Sequence, residues 1–164
     1  AQLLTAIYYE KGTGIEQSYQ QAFHYYQLAA DRGSSLAQVC LGKLYTQGKG
    51  IEQSYQEAMH YYLLAAEQGN SLALEYLSEA YAKGWGVDLS EEKAAFYARR
   101  RFETLKHEAE KGHPIAQIQL GDLFERGVGT DKSLESACYY YKLAADQNYL
   151  PALLLLAGCF AIGK

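Results

Sequence analysis

Four groups of residues in this chain have types and spacings that chemistry can use. Ser90, Glu91, Glu92 and Lys93 read S-x-x-K where a helical pattern begins, the arrangement of the serine nucleophile in penicillin-interacting enzymes. His24, His60, His107 and His113 are candidate imidazole ligands, and Cys40, Cys138 and Cys159 candidate thiolates. Gly-x-Gly occurs from Gly12, Gly48, Gly84 and Gly127, as at the start of a phosphate-cradling loop. None is completed by the partners its chemistry needs. Neither S-D-N nor K-T-G accompanies Ser90, and the corresponding serines Ser18, Ser54 and Ser133 have no lysine where Lys93 stands. His24 and His60 hold the same place in a duplicated stretch. Helices packed side by side put them about 10 Å apart, too far to share a zinc with bonds of about 2 Å. His107 and His113 lack nearby cysteines, and the glycine pairs have neither a third glycine nor a following Lys-Ser/Thr. No catalytic, cofactor-binding or metal-binding residue is assigned, and the chain reads as non-enzymatic.

The elements that would have to position such residues explain them better. GTGIEQSYQQAFHYYQLAADRG (12–33) returns as GKGIEQSYQEAMHYYLLAAEQG (48–69), and in degraded form from Gly84 and Gly127. Ala1, Ala37, Ala73, Ala116 and Ala152 lead successive copies at spacings of 36, 36, 43 and 36 residues. Periods of this size belong to stacked helix pairs, each burying an apolar face on its neighbours. The copies run 1–36, 37–72, 73–115, 116–151 and a partial 152–164, forming a single repeat domain.

Each copy has a first helix, A, and a second, B. Helix A carries a small residue at its sixth position (Ala6, Gly42, Gly121 and Ala157, with Ser78 departing), so that a neighbouring helix can approach closely. Its ninth position is aromatic: Tyr9, Tyr45, Tyr81, Phe124 and Phe160. Glycine ends helix A at Gly12, Gly48, Gly84, Gly127 and Gly163, supplying the left-handed cap. Ser18, Ser54, Ser90 and Ser133 are placed as N-caps of helix B. Ser18 with Gln21 and Ser54 with Glu57 also match the reciprocal capping box. Helix B ends at Gly33, Gly69, Gly112 and Asn148. Copy three is longer by seven residues near Arg99 to Leu105. Ala95, Ala98, Phe102, Leu105 and Ala109 keep an unbroken apolar spacing, so helix B there lengthens by about 10 Å without bulging.

Leucine-glycine, an aromatic, Gly-x-Gly-hydrophobic, Ala, Tyr-Tyr, Ala-Ala and a closing Gly stand at Leu41, Gly42, Tyr45, Gly48, Gly50, Ile51, Ala58, Tyr61, Tyr62, Ala65, Ala66 and Gly69. This pattern closely resembles the Sel1-like repeat, a relative of the tetratricopeptide repeat, with departures at Thr130 and Asn148. The resemblance implies an all-α, right-handed α/α superhelical solenoid of four helix-loop-helix repeats plus one additional helix. Helices A would line its concave side, and it would serve as a scaffold or adaptor for other proteins. The family includes bacterial signalling, envelope and host-interaction proteins and a component of eukaryotic endoplasmic-reticulum quality control. The resemblance therefore favours a bacterial source, with an envelope or secreted host-facing context as one alternative, and leaves the compartment open. A β-lactam-interacting hydrolase is the remote alternative, because the paired cysteines of those relatives are absent.

Sixteen tyrosines recur mostly at fixed positions and read as packing residues. A net charge of -4 argues against an electrostatic nucleic-acid binder, and no run is long and apolar enough to insert in a membrane. The three cysteines lie at unrelated repeat positions, and are expected as free thiols or small core residues. Without a starting Met or targeting segment, the chain is expected to be part of a longer protein, its compartment unassigned.

With the recurring positions assigned to packing, positions three, seven, ten and eleven of helix A are left as the free face. Val39, Lys43, Glu75, Glu79, Lys83, Ile118, Asp122 and Glu125 on it are the expected contacts for a protein or peptide partner with a basic segment. Arg99, Arg100, Lys106 and His107 on the lengthened helix form a second candidate surface, with Arg99/Glu103 and Lys106/Glu110 as ion pairs. The alternative to partner binding is homotypic assembly, through the C-terminal helix, Leu153 to Phe160, or through the lengthened helix of copy three.

Overall fold

The computed structural model describes residues 1–162, with side chains as far as Cys159. These residues form helices and no strands: α1 (Gln2–Lys11), α2 (Tyr19–Ala30), α3 (Ser35–Gln47), α4 (Tyr55–Glu67), α5 (Ser71–Lys83), α6 (Glu91–Glu110), α7 (Pro114–Arg126), α8 (Leu134–Ala145) and α9 (Leu150–Ile162). Odd-numbered helices are the A helices and even-numbered ones the B helices. The fold is an all-α repeat fold. The chain divides into two compact units, one over Ala1–Ala94 and the other from Ala95 onward.

The loops form as their residues dictate. Gly12, Gly48, Gly84 and Gly127 cap α1, α3, α5 and α7 in the left-handed region, and Asn148 adopts φ 59° after α8. The hydroxyls of Ser18, Ser54, Ser90 and Ser133 accept from the N–H three residues on, at 3.3, 3.2, 3.2 and 3.1 Å. The reciprocal half of the capping box is replaced. Each serine N–H donates back to the ninth-position aromatic of helix A, on Tyr9, Tyr45, Tyr81 or Phe124, at 2.9–3.1 Å. That backbone bond closes the loop regardless of what stands at the third position of helix B. The expected Gly163 cap and the Phe160 side chain lie outside the described residues.

In the first unit, α1 to α3 bury Ala6, Ala22, Tyr26, Ala29, Ala30, Ala37, Leu41 and Leu44 as one core. Buried Ala58, Met59, Tyr62, Ala65 and Ala66 of α4 and Ala73, Leu74, Leu77 and Ala80 of α5 continue it. Gly42 is small for a reason visible here: a methyl group on it would come within 2.7 Å of Tyr62 Cδ1. Gly121 stands in the same relation to Tyr141, also at 2.7 Å from Cδ1. The tyrosines pack as expected. Ninth-position rings stack on helix B rings at 5.6 Å (Tyr9 on Tyr25), 5.8 Å (Tyr45 on Tyr61) and 5.7 Å (Phe124 on Tyr140). Such stacking adds roughly 0.5–1.5 kcal/mol per pair beyond area burial.

The second unit is built on Phe102, Leu105 and Ala109 of α6 packed with Ala116, Leu120 and Leu123 of α7. A smaller group, Ala144, Ala145 and Ala152, joins α8 to α9. α6 is 20 residues long against 12 or 13 for the other B helices, and is unbroken as anticipated. Its stripe differs at two places: Ala95 is exposed, whereas Arg101 is only 7% exposed. The ion pairs also differ. Among the described residues Arg99/Glu103 and Lys106/Glu110 do not form; Glu108 instead holds Lys111 at 2.8 Å and His113 at 2.7 Å. The hydrogen bond from Lys111, joined by that from His113, stabilises the ionised form and holds the Glu108 carboxyl below its usual range.

Cys138 and Cys159 are joined in a disulfide between α8 and α9, and only Cys40 remains free, which corrects the expectation of three thiols. A disulfide need not recur in every copy. It needs two Cβ atoms facing across one seam, and the seam between a B helix and the next A helix brings together residues 21 apart. At that offset Met59 and Ala80 line one cavity, and Cys138 and Cys159 form the bridge.

Candidate functional site

The residues with candidate chemistry are accounted for structurally. Ser90 accepts from the Lys93 N–H as a cap, while Lys93 Nζ lies 5.0 Å over the Tyr81 ring, turned to an aromatic face. His24 and His60 are exposed, each edge-on to the next residue's ring at 5.4 Å. Among the described residues no group of three or more His, Cys, Asp or Glu side chains could hold a metal ion. No described helix is long and apolar enough to cross a membrane.

The expected helix A face is only partly a face. Val39 is 1% exposed and belongs to the core, because α3 packs on both α2 and α4 and an inner helix keeps less free surface. Ile118 packs against the Ala144, Ala145 and Ala152 group. Lys43 and Glu75 are half-buried. Glu79 is bonded to Lys83, whose Nζ also lies 4.2 Å over the Trp85 ring. Asp122 accepts from Arg126 at 3.2 Å, one helical turn away. Glu125 is engaged with the Tyr141 hydroxyl at 2.8 Å. On α6, Arg99, Arg100, Lys106 and His107 are exposed, and Lys106 lines a shallow depression with Phe102, Phe124 and Tyr140.

A relation between positions ten and twenty-six of a copy was not read from the sequence. Tyr26 donates to Glu10 and Tyr141 to Glu125, each 16 residues apart across the loop. Tyr62 holds the same place in copy two, but Thr46 stands where the glutamates do, and its hydroxyl donates to the Lys43 carbonyl at 2.9 Å. The Tyr62 hydroxyl is buried and has no hydrogen-bond partner among the described residues. Burial pushes the phenols of Tyr26, Tyr62 and Tyr141 well above their usual range, and the carboxylate acceptors push Tyr26 and Tyr141 further. Burial also raises the Cys40 thiol. Beside Tyr62 is a cavity of about 80 Å³, lined by Thr46, Tyr55, Tyr62, Tyr76, Glu79 and Trp85 among others.

These pairings predict unequal costs for one chemical change. Tyr141→Phe is expected to lose about 1.5 kcal/mol, the low end for a bond to a charged acceptor because Glu125 is only half-buried. Tyr62→Phe is expected to stay within about 0.5 kcal/mol of the parent, since no bond is lost. A native phenol with a raised pKa keeps its proton where the unfolded chain has released it. The stability it contributes is therefore full below about pH 10 and falls as pH rises beyond that. Urea unfolding at pH 7 and pH 11 checks both points: the alkaline loss should be smaller in Tyr141→Phe than in the parent. Equal costs at pH 7 would refute the pairing.

Comparison with known proteins agrees with the helix pairs. The family model described as Sel1 repeat matches residues 1–34, 35–70, 71–100 and 114–149. A Sel1 repeat protein from Oxalobacter formigenes is similar in structure, with 27% identity and a TM-score of 0.66 over 99% of this chain. So is c5321, a protective antigen of uropathogenic Escherichia coli strains displaying an SLR fold, with 22% identity and a TM-score of 0.58 over 99% of this chain. The chain spans 64% of the first protein's length and 41% of the second's. No curated protein matches at a significant level.

Proposed function

Because the chain belongs to the Sel1 repeat family, whose repeats commonly mediate protein–protein interaction, we propose that it is a non-catalytic scaffold that binds a protein or peptide through its helix A residues. One observation carries this reading. Glu79 of α5 and Asp122 of α7 hold the same seventh position, are partly exposed, and are tied only to a basic residue of their own helix. The recurring residues cap, turn or pack, so variation at such positions is where partner choice can reside. Carboxylates there favour a basic segment, mainly through association rate and specificity.

The structure alters which residues should be tested. Val39 is in the core, and Glu125 accepts from Tyr141, so changing either would confuse binding with folding. Glu79→Lys and Asp122→Lys remove only exposed i,i+4 pairs, each of small value to the fold. Against an array of twelve-residue peptides graded by net charge, the parent is expected to retain basic peptides, and each variant to lose at least threefold in apparent affinity for them. Retention that does not depend on peptide charge, or is unchanged by both reversals, would overturn the basic-partner reading.

A further inference from the structure

We propose that the cavity beside Tyr62 is a subsite for the guanidinium group of an arginine side chain presented by a partner, a proposal that rests on the protein-binding reading above. The cavity measures about 80 Å³. One water needs roughly 10–15 Å³ by this measure, so a group of about five heavy atoms fits, the size of a guanidinium and its last methylene.

The lining favours a flat, donor-rich cation. Among its lining residues Glu79 supplies the one carboxylate and Thr46 a hydroxyl, with Tyr55, Tyr62, Tyr76 and Trp85 around them. Thr46 has already committed its proton to Lys43, so it offers lone pairs alone. The Tyr62 hydroxyl oxygen is fully buried, so the acceptors offered to a guest are the Glu79 carboxylate and the Thr46 lone pairs. In copies one and four Glu10 or Glu125 is engaged with the corresponding tyrosine; in copy two the shorter Thr46 stands there, and the carboxylate beside the cavity is Glu79. Around these acceptors stand aromatic faces. Tyr62 stacks on Tyr76 at 4.8 Å and Tyr55 on Trp85 at 5.9 Å. A guanidinium is planar, weakly hydrated, stacks on such faces and carries five donors. An anion would meet the Glu79 carboxylate, and an apolar guest would leave that carboxylate desolvated and unsatisfied.

The chain already places a cation at the mouth. Lys83 is bonded to Glu79 and lies 4.2 Å over the Trp85 ring, so an entering arginine would take over the same carboxylate and the same face.

Trp85 is the single tryptophan, so its fluorescence reports on this site. The test is a titration of the parent with N-acetyl-Gly-Arg-Gly-amide, against the same tripeptide with norleucine for arginine, at fixed ionic strength. A saturable change is expected with arginine, at least tenfold tighter than with norleucine. Glu79→Gln should weaken binding at least tenfold, whereas Lys83→Met, which removes the competing ammonium, should tighten it severalfold. Equal binding of the norleucine tripeptide would overturn the proposal, as would the lack of a saturable change in both the parent and Lys83→Met. The tripeptide reads the cavity alone. If it fails while basic peptides remain sensitive to Asp122→Lys, the subsite falls and the protein-binding reading stands.

Discussion

Gly50→Ala should destabilise the first unit by about 3 kcal/mol or more, while Gly14→Ala, at the same place in copy one, should cost only about 1 kcal/mol. Both glycines sit in the left-handed region, at φ 74° and 77°. An alanine at either place meets the strain of that region, roughly 1–2 kcal/mol. Their surroundings differ. A methyl group at Gly50 would lie 2.5 Å from the Tyr19 carbonyl carbon and 2.7 Å from its oxygen, whereas at Gly14 nothing lies within 4 Å. The obstacle is backbone at the first residue of α2, which cannot turn aside as a side chain could. Relief would have to come from parting two copies, so overpacking of about 1–3 kcal/mol adds to the strain. Gly86 faces the Tyr55 backbone in the same way, at 2.6 Å. The second glycine of the loop therefore sets how closely its copy approaches the preceding one at Gly50 and Gly86, whereas Gly14 has no such neighbour among the described residues. Urea unfolding followed by helical circular dichroism decides the matter: equal losses for Gly14→Ala and Gly50→Ala would show that backbone strain alone accounts for the glycine.

The contrast shows what could be read from the sequence. Features that a residue makes with its own chain neighbours were legible: the left-handed caps at Gly12 and Gly48, the serine caps, Asn148 in place of glycine, and the unbroken lengthening of α6. Each depends on a few consecutive residues, and the copies repeat it. Features that depend on which copy lies beside which were not. Val39 was placed outside by elimination, although an inner helix A has neighbours on two sides. Ala95 and Arg101 exchange the roles their apolar spacing suggests. The pairing of positions ten and twenty-six spans 16 residues and a loop, and the tyrosines had already been assigned to packing, which is also true of their rings. The available signal is the pairing of the two positions across copies: glutamate with tyrosine at Glu10/Tyr26 and Glu125/Tyr141, and alanine at both places in Ala82/Ala98. The cavity beside Tyr62 lies in the copy where Thr46 stands in place of the glutamate, so it belongs to the difference between copies and not to what they share.

Reduction of the Cys138–Cys159 bridge, or Cys138→Ser, should cost the second unit about 3 kcal/mol. The bridge closes a loop with a sequence separation of 21, and the chain-entropy argument gives about that much for a loop of this length. What it tethers makes the effect large. α9 is anchored through Ala152, which is fully buried, while Leu150 and Leu154 are 74% and 80% exposed and Leu153 and Leu155 are exposed as well. Little of its apolar surface therefore resists release, and the covalent link supplies much of what holds α9 on α8. Cys40 offers the control, because its thiol lies in the first unit and makes no bridge. Thermal unfolding with and without reductant should show the parent's transition falling by roughly 6–12 °C, Cys40→Ser following the parent, and Cys138→Ser insensitive to reductant and already low. Freed from α8, the leucine-rich side of α9 would be available to other copies, so molar mass from light scattering should rise with concentration in the reduced protein more than in the oxidised one. If reductant leaves both the transition and the mass unchanged, the bridge is not what secures α9, and the Ala144, Ala145 and Ala152 contact must suffice by itself.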